Sequence, residues 1–295
     1  MRNHTLISLA LSALIATTAV AVPPPGENGN STREIGRTTE KELKVNLSSA
    51  FGTVLIGRGE SGKVIMAGAS SDKEENAVMD VQYAIRNRVG FLDMTLGDQR
   101  IEKDGNHYSF NLERFDKGKW FLRFTDAIPI SFDIELGVGR GDFNLSGLDV
   151  KDFNLSTGAS DVTLAFDQPN TGTIENLTIE SGVSKFDARN LGNANFRHFR
   201  FQGGMGSYTL DFGGALKNEV DVDIEVGLGL VTIIIPEEIG ARVIYENSWV
   251  SRLDCDRDFE ADGENQYIST NYHKSQGRMN INIDSGLGSI KVRRR

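Results

Sequence analysis

Val222-Asp223-Ile224-Glu225-Val226-Gly227-Leu228-Gly229 places an apolar residue at every second position as far as a glycine pair, and Val231-Thr232-Ile233 resumes the alternation beyond it. A period of two reads as a strand with one apolar face. The same unit, with a small-residue kink of the form G-x-[GS], recurs with its first glycine at Gly137, Gly158, Gly182, Gly204 and Gly227, about 22 residues apart, and again at Gly286. Before the kink stand Phe153 and Leu155, Leu177 and Ile179, Phe199 and Phe201, Val222 and Ile224, Ile281 and Ile283. After it stand Val162 and Leu164, Phe186 and Ala188, Tyr208 and Leu210, Val231 and Ile233, Ile290 and Val292. Asp, Asn, Glu and Lys occupy much of the opposite face. Glycine at the kink lets the backbone turn without a Cβ penalty. The first copy is irregular, because its apolar run resumes late within Gly137-Val138-Gly139-Arg140-Gly141-Asp142-Phe143, and a bulge is expected there.

A single two-strand coil cannot bury its apolar face, so coils must stack, each adding its strands in parallel to the last. The fold class that follows is all-β, a single-stranded parallel β-helix or solenoid. Ile134-Glu135-Leu136-Gly137-Val138-Gly139, the stretch quoted above, Val231-Thr232-Ile233-Ile234-Ile235-Pro236-Glu237-Glu238-Ile239-Gly240 and Ile281-Asn282-Ile283-Asp284-Ser285-Gly286-Leu287-Gly288-Ser289-Ile290 together resemble the toast-rack family. That family is the exported adhesin-like β-helix domain related to the C-terminal part of LiaF-type cell-envelope stress proteins. The resemblance covers residues 128–295 and implies a right-handed helix without catalytic residues.

Residues 1–21 carry Arg2 and His4, an apolar run from Leu6 to Val20, and Ala19-Val20-Ala21 at the end. This is the pattern of a secretory signal peptide with an A-x-A cleavage site. Residues 22–39, rich in Pro, Gly, Asn, Ser and Thr, are expected to be a poorly ordered linker. Residues 40–127 form an N-terminal β-rich region in which Val45, Leu47, Val54 and Ile56 surround Ala50 at the repeat offsets. Residues 128–295 form the β-helix. Asp98 to Gly118 reads as loop-rich, with Tyr108, Phe110 and Leu112 in alternation. No later run is apolar and long enough to span a membrane, so the mature chain is expected in the periplasm or outside the cell. Cys255 is the single cysteine, which leaves no intrachain disulfide framework. A net charge of −9 argues against nucleic acid as a partner.

Several motifs fall short of chemistry. Gly57 to Val64 fits G-x-x-x-x-G-K but has Val64 where Mg²⁺ needs a hydroxyl, and a strand follows where phosphate binding needs a helix; it reads as a hairpin turn. Asp254 to Asn265 begins like a calcium loop but has Phe259 at the turn position and Asn265 at the bidentate one, so no metal site is assigned. Arg140-Gly141-Asp142 lies on a kink, and the sequons at Asn46, Asn144, Asn154 and Asn176 lie in strands, where the repeat itself generates them. His107, His198 and His273 have no second ligand at metal spacing. Asp161, Asp187 and Asp211 follow successive kinks and read as a solvated ladder, although paired carboxylates on a β-helix groove could act in polysaccharide cleavage.

No cofactor is predicted, and the chain reads as a non-enzymatic binding or scaffold protein of the cell envelope whose partner is an envelope protein or glycan. The alternatives are a carbohydrate-active enzyme and an envelope-stress sensor acting with a membrane partner. Excursions from a solenoid commonly carry its binding function, and the excursion from Tyr245 to Gly277 holds Trp249, Tyr267 and Tyr272. Trp and Tyr are enriched in binding hot spots, so these three are the candidate contacts.

Overall fold

The computed structural model describes residues 32–70, 78–97, 103–104, 107–108, 118–246 and 251–295. The signal, its cleavage site, most of the linker, Phe110, Leu112 and Trp249 lie outside these residues. In chain order the strands are β1 (Thr32–Gly36), β2 (Glu42–Arg58), β3 (Lys63–Ser70), β4 (Met79–Arg86), β5 (Val89–Leu96), β6 (Lys103–Asp104), β7 (His107–Tyr108), β8 (Lys119–Phe124) and β9 (Ile130–Asn144). They continue as β10 (Val150–Ala165), β11 (Ile174–Arg189), β12 (Phe196–Asp211), β13 (Glu219–Ile235), β14 (Gly240–Glu246), β15 (Ser251–Cys255), β16 (Phe259–Ala261), β17 (Gln266–Ser269) and β18 (Arg278–Arg294). Among the described residues the one helical turn is a 3₁₀ turn at Leu191–Ala194. The protein is therefore all-β, as the alternation requires.

Seven long strands stack in the order β2-β9-β10-β11-β12-β13-β18, every neighbouring pair parallel. The repeat sets the register. Leu47, Ile134, Leu155, Ile179, Phe201, Ile224 and Ile283 lie side by side, and so do Val45, Phe132, Phe153, Leu177, Phe199, Val222 and Ile281. All of them are buried in one core, so each coil offers its neighbour a matching apolar rung. Aromatic rungs meet edge to face, Phe124 with Phe132 at 5.1 Å and Phe201 with Tyr208 at 5.0 Å between ring centroids, a favoured geometry.

The kink requires glycine for a reason that is not local. A Cβ on Gly158 would lie 2.5 Å from the carbonyl oxygen of Gly137, and one on Gly204 would lie 2.6 Å from that of Gly182. Each kink thus closes on the kink of the coil before it. The bulge expected within Gly137 to Phe143 is absent: β9 keeps register with β2 and β10 through that stretch. Gly141 instead occupies an inward position, where a Cβ would meet the Phe143 ring at 2.7 Å. That ring fills the space left by the missing side chain. The register shift lies at Lys151 in β10.

Return segments are tied by asparagines. Asn170 receives Val150 N at 2.8 Å and donates to Val150 O at 2.7 Å, and Asn193 and Asn195 donate to Phe166 O and Gly172 O. Each satisfies backbone groups of the preceding coil that strand pairing leaves open.

The ends are covered. β2 pairs with β5 through its first half and with β8 through its second, and β8 lies between β2 and β3. The Gly57–Val64 segment is accordingly a turn, but its flanking strands are not partners, so the expected hairpin is corrected to a connection with β8 inserted. The region before residue 128 thus supplies the first coil of the stack. Thr32–Gly36, expected within a linker, is a strand antiparallel to β3; Ile35 is buried, and its burial offsets the cost of ordering this segment. At the other end β14 and β15 pair in parallel with the two halves of β18, and β17 covers β14.

Candidate functional site

The excursion after β13 forms this C-terminal cover. Tyr272 is buried, donates its hydroxyl to Asn280 Oδ1 at 2.7 Å and lies under the Arg242 guanidinium at 4.6 Å from the ring centroid. It fastens the excursion to the solenoid and does not present an open surface. Tyr267 is half-buried against the core. Trp249 lies outside the described residues, in the connection from Glu246, which pairs with Asp284, to Ser251, which pairs with Gly288.

The acids of the calcium-like loop face arginines. Arg293 bonds Asp254 at 2.6 Å and approaches Asp256 at 3.5 Å, and the nearly buried Arg294 pairs with Asp258 at 2.8 Å. The hydrogen bond from Arg293, with its charge, holds the Asp254 carboxyl below the usual range. Arg294 also donates to Glu237 O and Ile239 O. Cys255, in the same strand, has its thiol pushed up to about 12 by burial and by Asp254, so it is a poor nucleophile.

Of the acids after the kinks, Asp161 is exposed on β10, in register with Arg140 and Lys185, and the other two have separate partners. Asp187 bonds Arg189, and the largely buried Asp211 bonds Arg295 at 2.9 Å and Gly213 N at 2.8 Å. His198 faces outward and lies 3.5 Å from Asp221. Arg140 and Asp142 lie on the outer face of β9 on either side of the buried Gly141, in a strand and not on a presented loop. No group of three His, Cys, Asp or Glu able to hold a metal occurs among the described residues, and none of their helices is long and apolar enough to cross a membrane.

Two surface features remain. The first is an apolar ridge formed by the central residue of each kink. Val183, Met205, Leu228 and Leu287 are in direct register on four successive strands, and each is 41–61% exposed. Val138 and Ala159 continue the row, and Leu230 stands beside it, 57% exposed. Adjacent strands lie about 4.8 Å apart, so these side chains form an unbroken apolar line. Glu180, Glu225 and Asp284 stand along one flank, all exposed. The sequence held a signal for this row: the central residue of G-x-[GS] is apolar in every copy from Val138 to Leu287, in phase with the run before the kink, although burial stops short of it.

The second is a recess of about 340 Å³ on the outer face before the kinks, lined by Lys44, Asn46, Ser131, Asp133, Asp152, Asn154 and Asn176 and floored by Val45 and Phe132. Lys44 is in register with Ser131 and Ser131 with Asp152; Asn46 is in register with Asp133 and Asp133 with Asn154. The extra residue of β10, Lys151, directly precedes Asp152 of the lining and reaches Glu42 at 2.9 Å. A bulge of this kind re-aims neighbouring side chains.

The family model described as the N-terminal domain of toast_rack, DUF2154, matches residues 24–187 and, again, residues 170–234. Among solved structures, a candidate cell adhesion protein from Clostridium sporogenes ATCC 15579 is 20% identical over 90% of this chain and 99% of its own, with a TM-score of 0.46. A candidate adhesin from Bacteroides fragilis NCTC 9343 is 17% identical over 91% of this chain and 98% of its own, with a TM-score of 0.36. No curated protein matches the chain in sequence.

Proposed function

The chain belongs to the toast-rack family, and from that premise we propose that it is an exported, non-enzymatic binding or scaffold protein of the cell envelope, adhesin-like in its mode of action, that docks a protein partner along its apolar ridge. The observation that carries this reading is the register of Val183, Met205, Leu228 and Leu287. Cross-strand packing accounts for part of this row, but a contiguous line of half-exposed Val, Met and Leu, unlike scattered single residues, is the kind of surface that a partner covers. The five exposed side chains, Leu230 included, present roughly 400–500 Å² of apolar surface, within the range of the largest patch on a typical monomer, which is often functional. The acidic flank favours a partner with a basic rim.

Export rests on residues 1–21, whose removal after Ala21 would leave a mature chain starting at Val22. Trp249 and Tyr267 of the excursion are proposed as secondary contacts. No catalytic role is assigned, because Asp187 and Asp211 hold separate partners and Asp161 stands on another strand.

The test places a photo-crosslinking residue at Met205 and, in a separate protein, at Asp221, and exposes each to envelope material. A discrete adduct is expected at Met205, absent at Asp221 and lost when Val183 and Leu228 are changed to Asp. Equal labelling at both positions would refute the ridge. An intact Met1 on the recovered protein would refute export with cleavage, and release of oligosaccharide products would overturn the non-enzymatic reading.

A further inference from the structure

The recess before the kinks has a chemistry distinct from that of the ridge. Its lining is fixed by the ladder: neighbouring strands are about 4.8 Å apart and outward residues on one strand about 7 Å apart, so the side chains form a rigid two-row grid. The rows hold Lys44, Ser131 and Asp152, and Asn46, Asp133 and Asn154, with Asn176 on the next strand. Three members are already engaged: Ser131 donates to Asp152 at 3.0 Å, and Asn46 donates to Asp93, outside the recess, at 2.6 Å. Lys44, Asp133, Asn154 and Asn176 form no side-chain hydrogen bond among the described residues. The unpaired set thus contains one ammonium donor, one carboxylate acceptor and two amides that both donate and accept.

We infer that this recess is a binding site for a neutral saccharide unit, independent of the ridge. Sugar hydroxyls donate and accept at once, and an adjacent pair of them suits a carboxylate or an amide that can address two neighbouring groups. The volume lies at the low end of small-ligand sites, sufficient for a short stretch of glycan and not for a folded partner. An anionic ligand would face Asp133 and Asp152 against the single charge of Lys44. A peptide added as a strand has no edge to join, because β2, β9, β10 and β11 are each paired on both sides here. Asn154 and Asn176, whose sequons the repeat itself generates, are thereby given a role.

The test is isothermal titration calorimetry of the full mature chain with maltotriose, cellotriose and triacetylchitotriose in the presence of EDTA. At least one is expected to bind. Asn154→Ala, Asn176→Ala and Asp133→Asn should each weaken that binding five-fold or more while melting like wild type, since all three side chains are outside the core. The paired change of Val183 and Leu228 to Asp should leave saccharide binding unaltered, and the recess variants should retain the Met205 adduct, so that the two sites fail or stand separately. Binding by none of the three sugars, equal binding in the recess variants, or binding that appears only after Ca²⁺ is added would each overturn the assignment.

Discussion

Replacing Gly204 by Ala tests the physical account of the stack more sharply than any change in the core. The added Cβ would lie 2.6 Å from Gly182 O, 3.2 Å from its carbonyl carbon and 3.5 Å from its Cα. Ordinary carbon contacts begin at about 3.5 Å, so the two coils must part by up to about 1 Å at the kink. Nothing soft lies in the way, because all three atoms are backbone. Gly182 cannot yield freely, since its own Cβ direction is closed by Gly158 O at 2.8 Å. Overpacking of this kind costs about 1–3 kcal/mol, and lengthened ladder hydrogen bonds worth about 1 kcal/mol each place the expected loss at about 2–3 kcal/mol.

The matched control is Gly68→Ala in β3, where no atom of the described residues lies within 4 Å of the new methyl group. There the substitution restricts the unfolded chain and should stabilise by about 0.4–1 kcal/mol. At about 2–4 °C per kcal/mol for a domain of this order, Gly204→Ala should lower Tm by about 4–12 °C while Gly68→Ala raises it by about 1–4 °C. Thermal and urea unfolding followed by far-UV circular dichroism would decide. A Gly204→Ala protein within about 0.5 kcal/mol of wild type, or a Gly68→Ala loss as large, would refute the claim that kink glycines are required by the coil beneath them.

Three further outcomes follow from the register and the cap. Ile224→Asn should cost about 4 kcal/mol, about 2–3 from lost burial and the rest from an amide without partners, whereas Asp223→Asn, whose exposed carboxylate accepts from Asn282 at 3.0 Å, should stay within about 0.5 kcal/mol; the reverse order in urea titrations would place the strand one residue out of register. Millimolar Ca²⁺ should leave Tm unchanged, because Asp254, Asp256 and Asp258 are paired with Arg293 and Arg294; a site at about 100 times its Kd would add about 2.7 kcal/mol, and a rise abolished by Asp256→Asn with Asp258→Asn would contradict the pairing. Cys255, with a thiol pushed up to about 12, stays protonated at pH 8 and should react with iodoacetamide far more slowly in the folded protein than in urea; equal rates would show that the cap does not shield it.

The sequence by itself determined the stack. Alternation is a property of consecutive residues, and a glycine kink recurring about every 22 residues leaves parallel stacking as the only way to bury the apolar face; the positions of Leu47, Ile134, Leu155 and Ile224 in one rung follow from counting. What the tertiary structure decided depends on neighbours that no local pattern names. Gly141 stands inward because the Phe143 ring turns back over it, β8 enters between β2 and β3, and Ile35 finds cover only because β3 lies beside it. Arg293 and Arg294 meet acids of an excursion some three dozen residues earlier, and that pairing turns a calcium-like loop into a clamp. Tyr272 is buried because Arg242 and Asn280 surround it, although its spacing alone suited an exposed contact. The ridge and the recess arise in the same way: Val183 is one apolar residue in a kink, and Asn154 one polar residue on an outer face. Each becomes part of a surface only when parallel pairing sets it beside its equivalents from other coils.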